Sequence, residues 1–103
     1  MHTVVYIYGF PGCGKTKLLT EVFGRNWGSL YRGNLKLLLL DGEYENYTPE
    51  ECNGFDYVII SSNQYPNMDG MDHVFYLYNA ETVNECRSFL QSIYGTTTNQ
   101  ETI

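Results

Sequence analysis

No part of this chain restricts its folding as tightly as Gly9-Phe10-Pro11-Gly12-Cys13-Gly14-Lys15-Thr16. The pattern is G-x-x-x-x-G-K-T, and its flanks give it a context. Thr3-Val4-Val5-Tyr6-Ile7-Tyr8 precedes it, a β-branched and aromatic run that predicts a buried strand. Lys17-Leu18-Leu19-Thr20-Glu21-Val22-Phe23 follows. Its apolar residues share one helical face, and Gly24 is placed to stop the helix. Strand, glycine loop and helix, in that order, predict a backbone that wraps a phosphate.

The spacing has a chemical reason. Gly9, Gly12 and Gly14 keep Cβ atoms out of the curve. The loop amides, Cys13 among them, and the N-terminus of the helix then present donors to an anion. Lys15 is placed to reach the terminal phosphates of a nucleoside triphosphate, and Thr16 to ligate Mg²⁺ through its hydroxyl. The nucleotide-binding set is therefore Gly9, Gly12, Cys13, Gly14, Lys15 and Thr16. A chance glycine turn with an exposed lysine is the competing explanation, and both flanks speak against it.

An acid and a polar strand end complete the pattern. Leu35 to Leu40 is a mostly apolar run closed by Asp41, which places a carboxylate at the C-terminal end of a buried strand. There Asp41 would hold Mg²⁺ directly or through water. Glu43, two residues on, is a candidate to orient an attacking water. An ordinary Asp-Gly turn is the competing explanation of Asp41, and the metal role is favoured because a phosphate loop needs an acid nearby. Phe55 to Asn63 predicts a third strand, and Asn63 is positioned to touch a terminal phosphate or the water that attacks it. His73 to Tyr78 predicts a fourth strand. Its connection of about ten residues is near the minimum for a parallel crossover, so an antiparallel or poorly wound strand is expected.

The remaining segments are connections and one more helix. Arg25 to Asn34 reads as a polar connection with turns at Gly28 and Gly33, anchored by Trp27, Leu30 and Tyr31. Thr48-Pro49-Glu50-Glu51 suggests a short helix capped by Thr48. Asn79 is expected to cap a last helix bearing Val83, Cys86, Phe89, Leu90 and Ile93 on its apolar side and ending at Gly95. Residues 1–95 make one domain, and 96–103 read as a disordered tail.

Composition narrows the partners. The chain has 103 residues, a net charge of −6 and six Lys plus Arg, so no basic footprint for nucleic acid is visible. Ten tyrosines are unusual. About half fall in the predicted strands, where packing accounts for them, and stacking platforms for bases are the alternative. The three cysteines, Cys13, Cys52 and Cys86, show no metal-ligand spacing, and neither His2 nor His73 has a partner at a useful interval. A reducing intracellular compartment fits this usage. Cys13, beside a helix N-terminus, is an oxidation liability rather than a catalytic group. No segment is long and apolar enough to span a membrane, and no signal peptide precedes the first strand.

Taken together, these segments resemble viral superfamily 3 helicases, a group that includes replication-associated proteins of small circular single-stranded DNA viruses and helicase-like proteins of picorna-type RNA viruses. Val4 to Thr16 resembles their first motif. Tyr31-Arg32-Gly33-Asn34 before Leu38 to Asp41 resembles the approach to the second, and Tyr57 to Asn63 with Pro66 resembles the third. The family usually carries paired acids at the second motif, whereas Gly42 follows Asp41 here. The resemblance implies ATP hydrolysis in a ring, with an arginine supplied by a neighbour. Arg32 is the first candidate for that role, Arg87 the second, and Arg25 lies just past the first helix.

The expectation is thus an α/β, three-layer P-loop NTPase-like domain with a short, mainly parallel sheet. Lys15, Glu43 and Asn63 would be catalytic, and Thr16 and Asp41 would bind metal. ATP or another NTP with Mg²⁺ would be the cofactor, in a helicase-like viral replication ATPase. A small nucleotide or metabolite kinase and a non-catalytic nucleotide-binding module are the alternatives. Homo-oligomers are conceivable by resemblance, but a slow monomer is expected in isolation.

Overall fold

A computed structural model describes residues 3–41, 52–65 and 70–95. It is a small α/β domain built on one mixed, mostly parallel sheet. The elements are β1 (Thr3–Tyr8), α1 (Lys15–Phe23), β2 (Gly28–Arg32), β3 (Leu35–Asp41), β4 (Tyr57–Ser62), β5 (His73–Tyr76) and α2 (Ala80–Leu90). A π-helical turn over Gln91–Gly95 extends α2. The sheet order is β2-β3-β4-β1-β5. β4 runs parallel to both β3 and β1, β5 runs parallel to β1, and β2 alone is antiparallel, to β3.

Alternation along the strands divides the core into two halves. Val5, Ile7, Leu37, Leu39 and Ile59 point to one face, where Leu18, Leu19 and Phe23 of α1 and Cys86 and Leu90 of α2 close over them. Val4, Tyr6, Val58 and Ile60 point to the other and bury with Cys52. The central strands are thus buried on both sides, which is why they read as nearly continuous apolar runs. Both described helices lie on the first face. Among the described residues no α-helix covers the second, where Cys52, in a 3-10 turn, is buried, so the three-layer expectation is met only as far as a helix layer and a sheet.

Backbone groups at the strand starts are satisfied by acids. Asp72 accepts from the Val4 amide at 2.7 Å, and Asp56 accepts from the Lys36 amide at 2.8 Å. At the other end the ladder continues into the loops, since Gly9 donates to the Ser62 carbonyl at 3.2 Å and Leu77 to the Tyr8 carbonyl at 2.8 Å. The glycine loop is therefore tied to the tip of β4.

Two expectations are corrected. Residues 28–32 form a strand, not a polar connection. Gly33 and Asn34 make a two-residue turn that pairs Arg32 with Leu35, and Leu30 alternates inward. Trp27 and Tyr31 do not anchor it. They are 69% and 65% exposed, and Tyr31 lies flat on Phe55 at the surface. The last strand, β5, is parallel, not antiparallel: its four residues pair with Val5 to Tyr8 of β1. The expected helix at Thr48 to Glu51, the tail at 96–103, and His2 fall outside the described residues.

α2 begins as expected. Asn79 Oδ1 accepts from the Thr82 amide at 2.9 Å, and Thr82 Oγ1 accepts from the Asn79 amide at 3.0 Å, a reciprocal box. Asn79→Ala should therefore lower unfolding free energy by about 1 kcal/mol, and Asn79→Ser should restore most of it. Urea midpoints of the three proteins test this. Equal midpoints for wild type and Asn79→Ala would show that the box contributes nothing.

Candidate functional site

The glycine loop leaves the C-terminal end of β1 and runs directly into α1. Two of its glycines adopt backbone angles that other residues resist, with φ of 86° at Gly12 and 101° at Gly14. Gly9 is needed for a different reason, because a Cβ there would lie 2.3 Å from Cys13 Sγ. Cys13 thus folds back beneath the start of the loop. Gly14 sits at the N-cap of α1, and no side chain caps that terminus. Nor does an acid stand in the first turn. The first amides of α1 are left to whatever enters the loop.

Lys15 is the centre of the arrangement. It is half-buried, and its ammonium donates to the Gly9 carbonyl at 2.6 Å, to Asn63 Oδ1 at 2.7 Å and to the Phe10 carbonyl at 3.2 Å. Cys13 Sγ lies 3.8 Å away. The lysine and Asn63, 48 residues apart in sequence, are joined because β4 lies beside β1.

Strand order brings the acid to the same place. β4 is flanked by β1 and β3, so Ser61 pairs with Ile7 on one side and with Asp41 on the other. Asp41 is exposed at the tip of β3. One cavity of about 370 Å³ is lined by Pro11, Gly12, Gly14, Lys15, Thr16, Lys17, Asp41 and Asn63. The structure therefore gathers Gly12, Gly14, Lys15, Thr16, Asp41 and Asn63 around one space, with Gly9 and Cys13 behind it. Glu43 lies outside the described residues. Among the described residues no group of three or more His, Cys, Asp or Glu could hold a metal by itself.

Lys17 was not singled out from the sequence, yet it lines the cavity. Its position at the third residue after Gly14, within the first turn of α1, was the available signal. Ser61 and Ser62, the small polar residues that end β4, stand just before Asn63. Both are buried, and Ser62 Oγ accepts from the Gln64 amide at 3.0 Å, fixing the turn that contains Asn63.

The arginines have partners within the chain. Arg87 Nε contacts Glu21 Oε2 at 2.5 Å and also donates to Asn84, tying α2 to α1. Arg32 lies 5.0 Å from the centre of the Tyr94 ring. Arg25 donates to the Ser29 carbonyl at 3.1 Å. Among the described residues no helix is long and apolar enough to cross a membrane.

Among the described residues two ionisable groups are displaced from their ordinary range. Tyr76 is pushed up, first by a hydrogen bond with Tyr65 and then by desolvation. Burial pushes the Cys86 thiol up to about 12, with a small opposing pull from Arg87. The unfolded thiol therefore ionises first. The contribution of this thiol to stability is present below its ordinary value of 9.0 and is lost as pH rises toward about 12. Cys52 is fully buried and Cys13 only half-buried. At pH 8 an alkylating reagent should modify one thiol of the native protein quickly and two slowly, and Cys13→Ser should remove the fast phase. Retention of that phase in Cys13→Ser would contradict the burial pattern.

No protein-family model matches this chain, and no curated protein or solved structure matches it. The site is read from its own geometry.

Proposed function

We propose that this domain binds a nucleoside triphosphate with Mg²⁺ and hydrolyses it slowly, as a helicase-like ATPase of viral replication. One observation carries the binding reading. A lysine, an uncapped helix N-terminus, a threonine, an aspartate and an asparagine surround one cavity at the C-terminal ends of three adjacent parallel strands. Ligands of open parallel sheets bind at such ends. The helicase assignment rests on the sequence resemblance alone.

The residues suit the group. The positive-φ glycines face open space, since a Cβ at Gly12 or Gly14 would meet nothing within 4 Å. Phosphate oxygens would take the place of the Gly9 and Phe10 carbonyls and Asn63 around the Lys15 ammonium. Mg²⁺ would be held by Thr16 and Asp41, and two protein ligands suit an ion that keeps water and phosphate oxygens for its other positions. The ion would neutralise charge on the terminal phosphates. Asn63 would orient the terminal phosphate or the water beside it, with Glu43 as the proposed base. The three-layer P-loop arrangement belongs to this proposal. It is supported by the burial of Tyr6, Val58 and Ile60 on the face opposite the helices.

A non-catalytic nucleotide-binding module is the second reading. It is favoured because Asp41 is the only carboxylate among the described residues that line the cavity. A kinase gains no such support, because Arg25, Arg32 and Arg87 are all engaged within the chain.

Binding and turnover are tested separately. Mg-ATP at a hundredfold excess over Kd should add about 2.7 kcal/mol, which for a domain this size raises Tm by about 10 °C or more. Lys15→Ala should lose most of that shift, and Asp41→Asn should lose its Mg²⁺-dependent part. Scanning calorimetry that finds wild type unshifted by saturating nucleotide rules out the loop reading. Glu43→Gln should leave the shift intact and slow phosphate release. Equal release rates for wild type and Glu43→Gln would remove Glu43 from the mechanism, and no release at all would select the binding module.

A further inference from the structure

The second face of the sheet ends in a continuous ribbon of rings. Tyr8 lies at its centre, 6.0 Å from Phe10, 5.4 Å from Tyr65 and 5.9 Å from Tyr76 between ring centres. Tyr76 in turn stacks on Tyr78 at 5.6 Å. Three of the five rings face solvent: Phe10 is 63% exposed, Tyr65 68% and Tyr78 61%. Singly exposed rings need no explanation, but a connected set does. Packing accounts for Tyr8, which is buried. It accounts also for the half-buried Tyr76, which packs on the same cluster, but not for Phe10, Tyr65 and Tyr78.

The ribbon adjoins the phosphate cavity through both of its walls. Phe10 immediately precedes Pro11, which lines the cavity, and its carbonyl accepts from the Lys15 ammonium at 3.2 Å. Tyr65 follows the cavity residue Asn63 by two positions. The Tyr65 ring is positioned by its contact with the Tyr76 ring, 5.8 Å between centres, and by its edge-to-face contact with Tyr8. We propose that Phe10 and Tyr65 form a stacking platform for the base of the nucleotide whose phosphates occupy the glycine loop. This inference rests on the phosphate-loop reading and adds the part of the ligand that the loop does not touch.

Chemistry selects the occupant. Every nucleobase presents a π-face, and an aromatic ring takes it without regard to the base edge. A single strand of nucleic acid would also offer bases, but its backbone needs cations along its path. No Lys or Arg belongs to the ribbon, Lys15 and Lys17 are both in the cavity, and the whole chain carries −6. A mononucleotide, with its charge confined to one end, fits this division between cationic cavity and neutral rings.

Calorimetric titration of the full chain with Mg-ATP, Mg-tripolyphosphate and a short oligothymidylate tests the platform. Wild type should bind ATP more tightly than tripolyphosphate. The double substitution Phe10→Ala with Tyr65→Ala should weaken ATP by about tenfold or more, the range expected for a lost base–ring stack. Its affinity for tripolyphosphate should not change, which also shows that the variant is folded. Tyr65→Trp should keep ATP binding. Equal affinity of wild type for ATP and tripolyphosphate, or an unchanged ATP affinity in the double variant, overturns the platform and leaves the loop intact. Loss of oligothymidylate binding with ATP unaffected would assign the rings to a strand and overturn the proposal. Failure of wild type to bind either phosphate ligand removes the loop reading, and the platform with it.

Discussion

The placement of β4 between β1 and β3 is the constraint on which the candidate site depends. The glycine loop follows β1, Asp41 ends β3 and Asn63 follows β4, so this parallel order brings the three tips together. The pairing must also be in register. A slip of one residue would shift Asn63 by about 3.3 Å along the strand and turn every β4 side chain to the opposite face. Burial on both sides prevents this. Val58 and Ile60 fill one half of the core and Ile59 the other, each at most 1% exposed. Packing thus sets the geometry of a polar cluster that makes little packing contact itself.

Local elements were legible in the sequence because their causes are local. The glycine loop, the apolar face of α1 and the Asn79–Thr82 cap each lie within a few residues of one another. The β2–β3 hairpin was also locally encoded, in Gly33-Asn34 between alternating residues. There, reading Gly28 and Gly33 as two loop markers hid a strand whose outward side chains are polar or aromatic. What could not be read was pairing. Nothing near Lys15 names Asn63 as its partner, and nothing near Phe10 or Tyr65 shows that both rings meet Tyr8. Those contacts come from strand order. Asp41 was legible as a strand-end acid, but its entry into the same cavity as Thr16 required the fold.

The Lys15 ammonium is already hydrogen-bonded before any anion arrives. It has three N–H donors, and Gly9, Phe10 and Asn63 supply three oxygen acceptors. An entering phosphate therefore exchanges bonds and does not create them. The gain is the difference between a charged acceptor and a neutral one, since charge-assisted bonds are roughly twice as strong. The same contacts give the site its order without ligand. The lysine is held between β1 and β4, so less side-chain entropy remains to be lost on binding. Asn63 gains a double role from this, because any movement of Lys15 toward a phosphate releases its amide oxygen to a new donor.

Net charge and local charge act in opposite directions here. At −6 the chain as a whole repels a polyphosphate. Yet screening limits that repulsion to about 8 Å at physiological ionic strength. Within that distance the site offers Lys15, Lys17 and the uncapped amides of α1, opposed by Asp41 alone among the described lining residues. A divalent cation at Asp41 would reverse even that opposition, because the carboxylate would then hold positive charge toward the phosphates. Attraction is thus confined to one small region, whereas an extended polyanion leaving it meets no described cation along the aromatic ribbon. A compact ligand with its charge at one end is favoured over a long one by that distribution, independently of any contact to its neutral part.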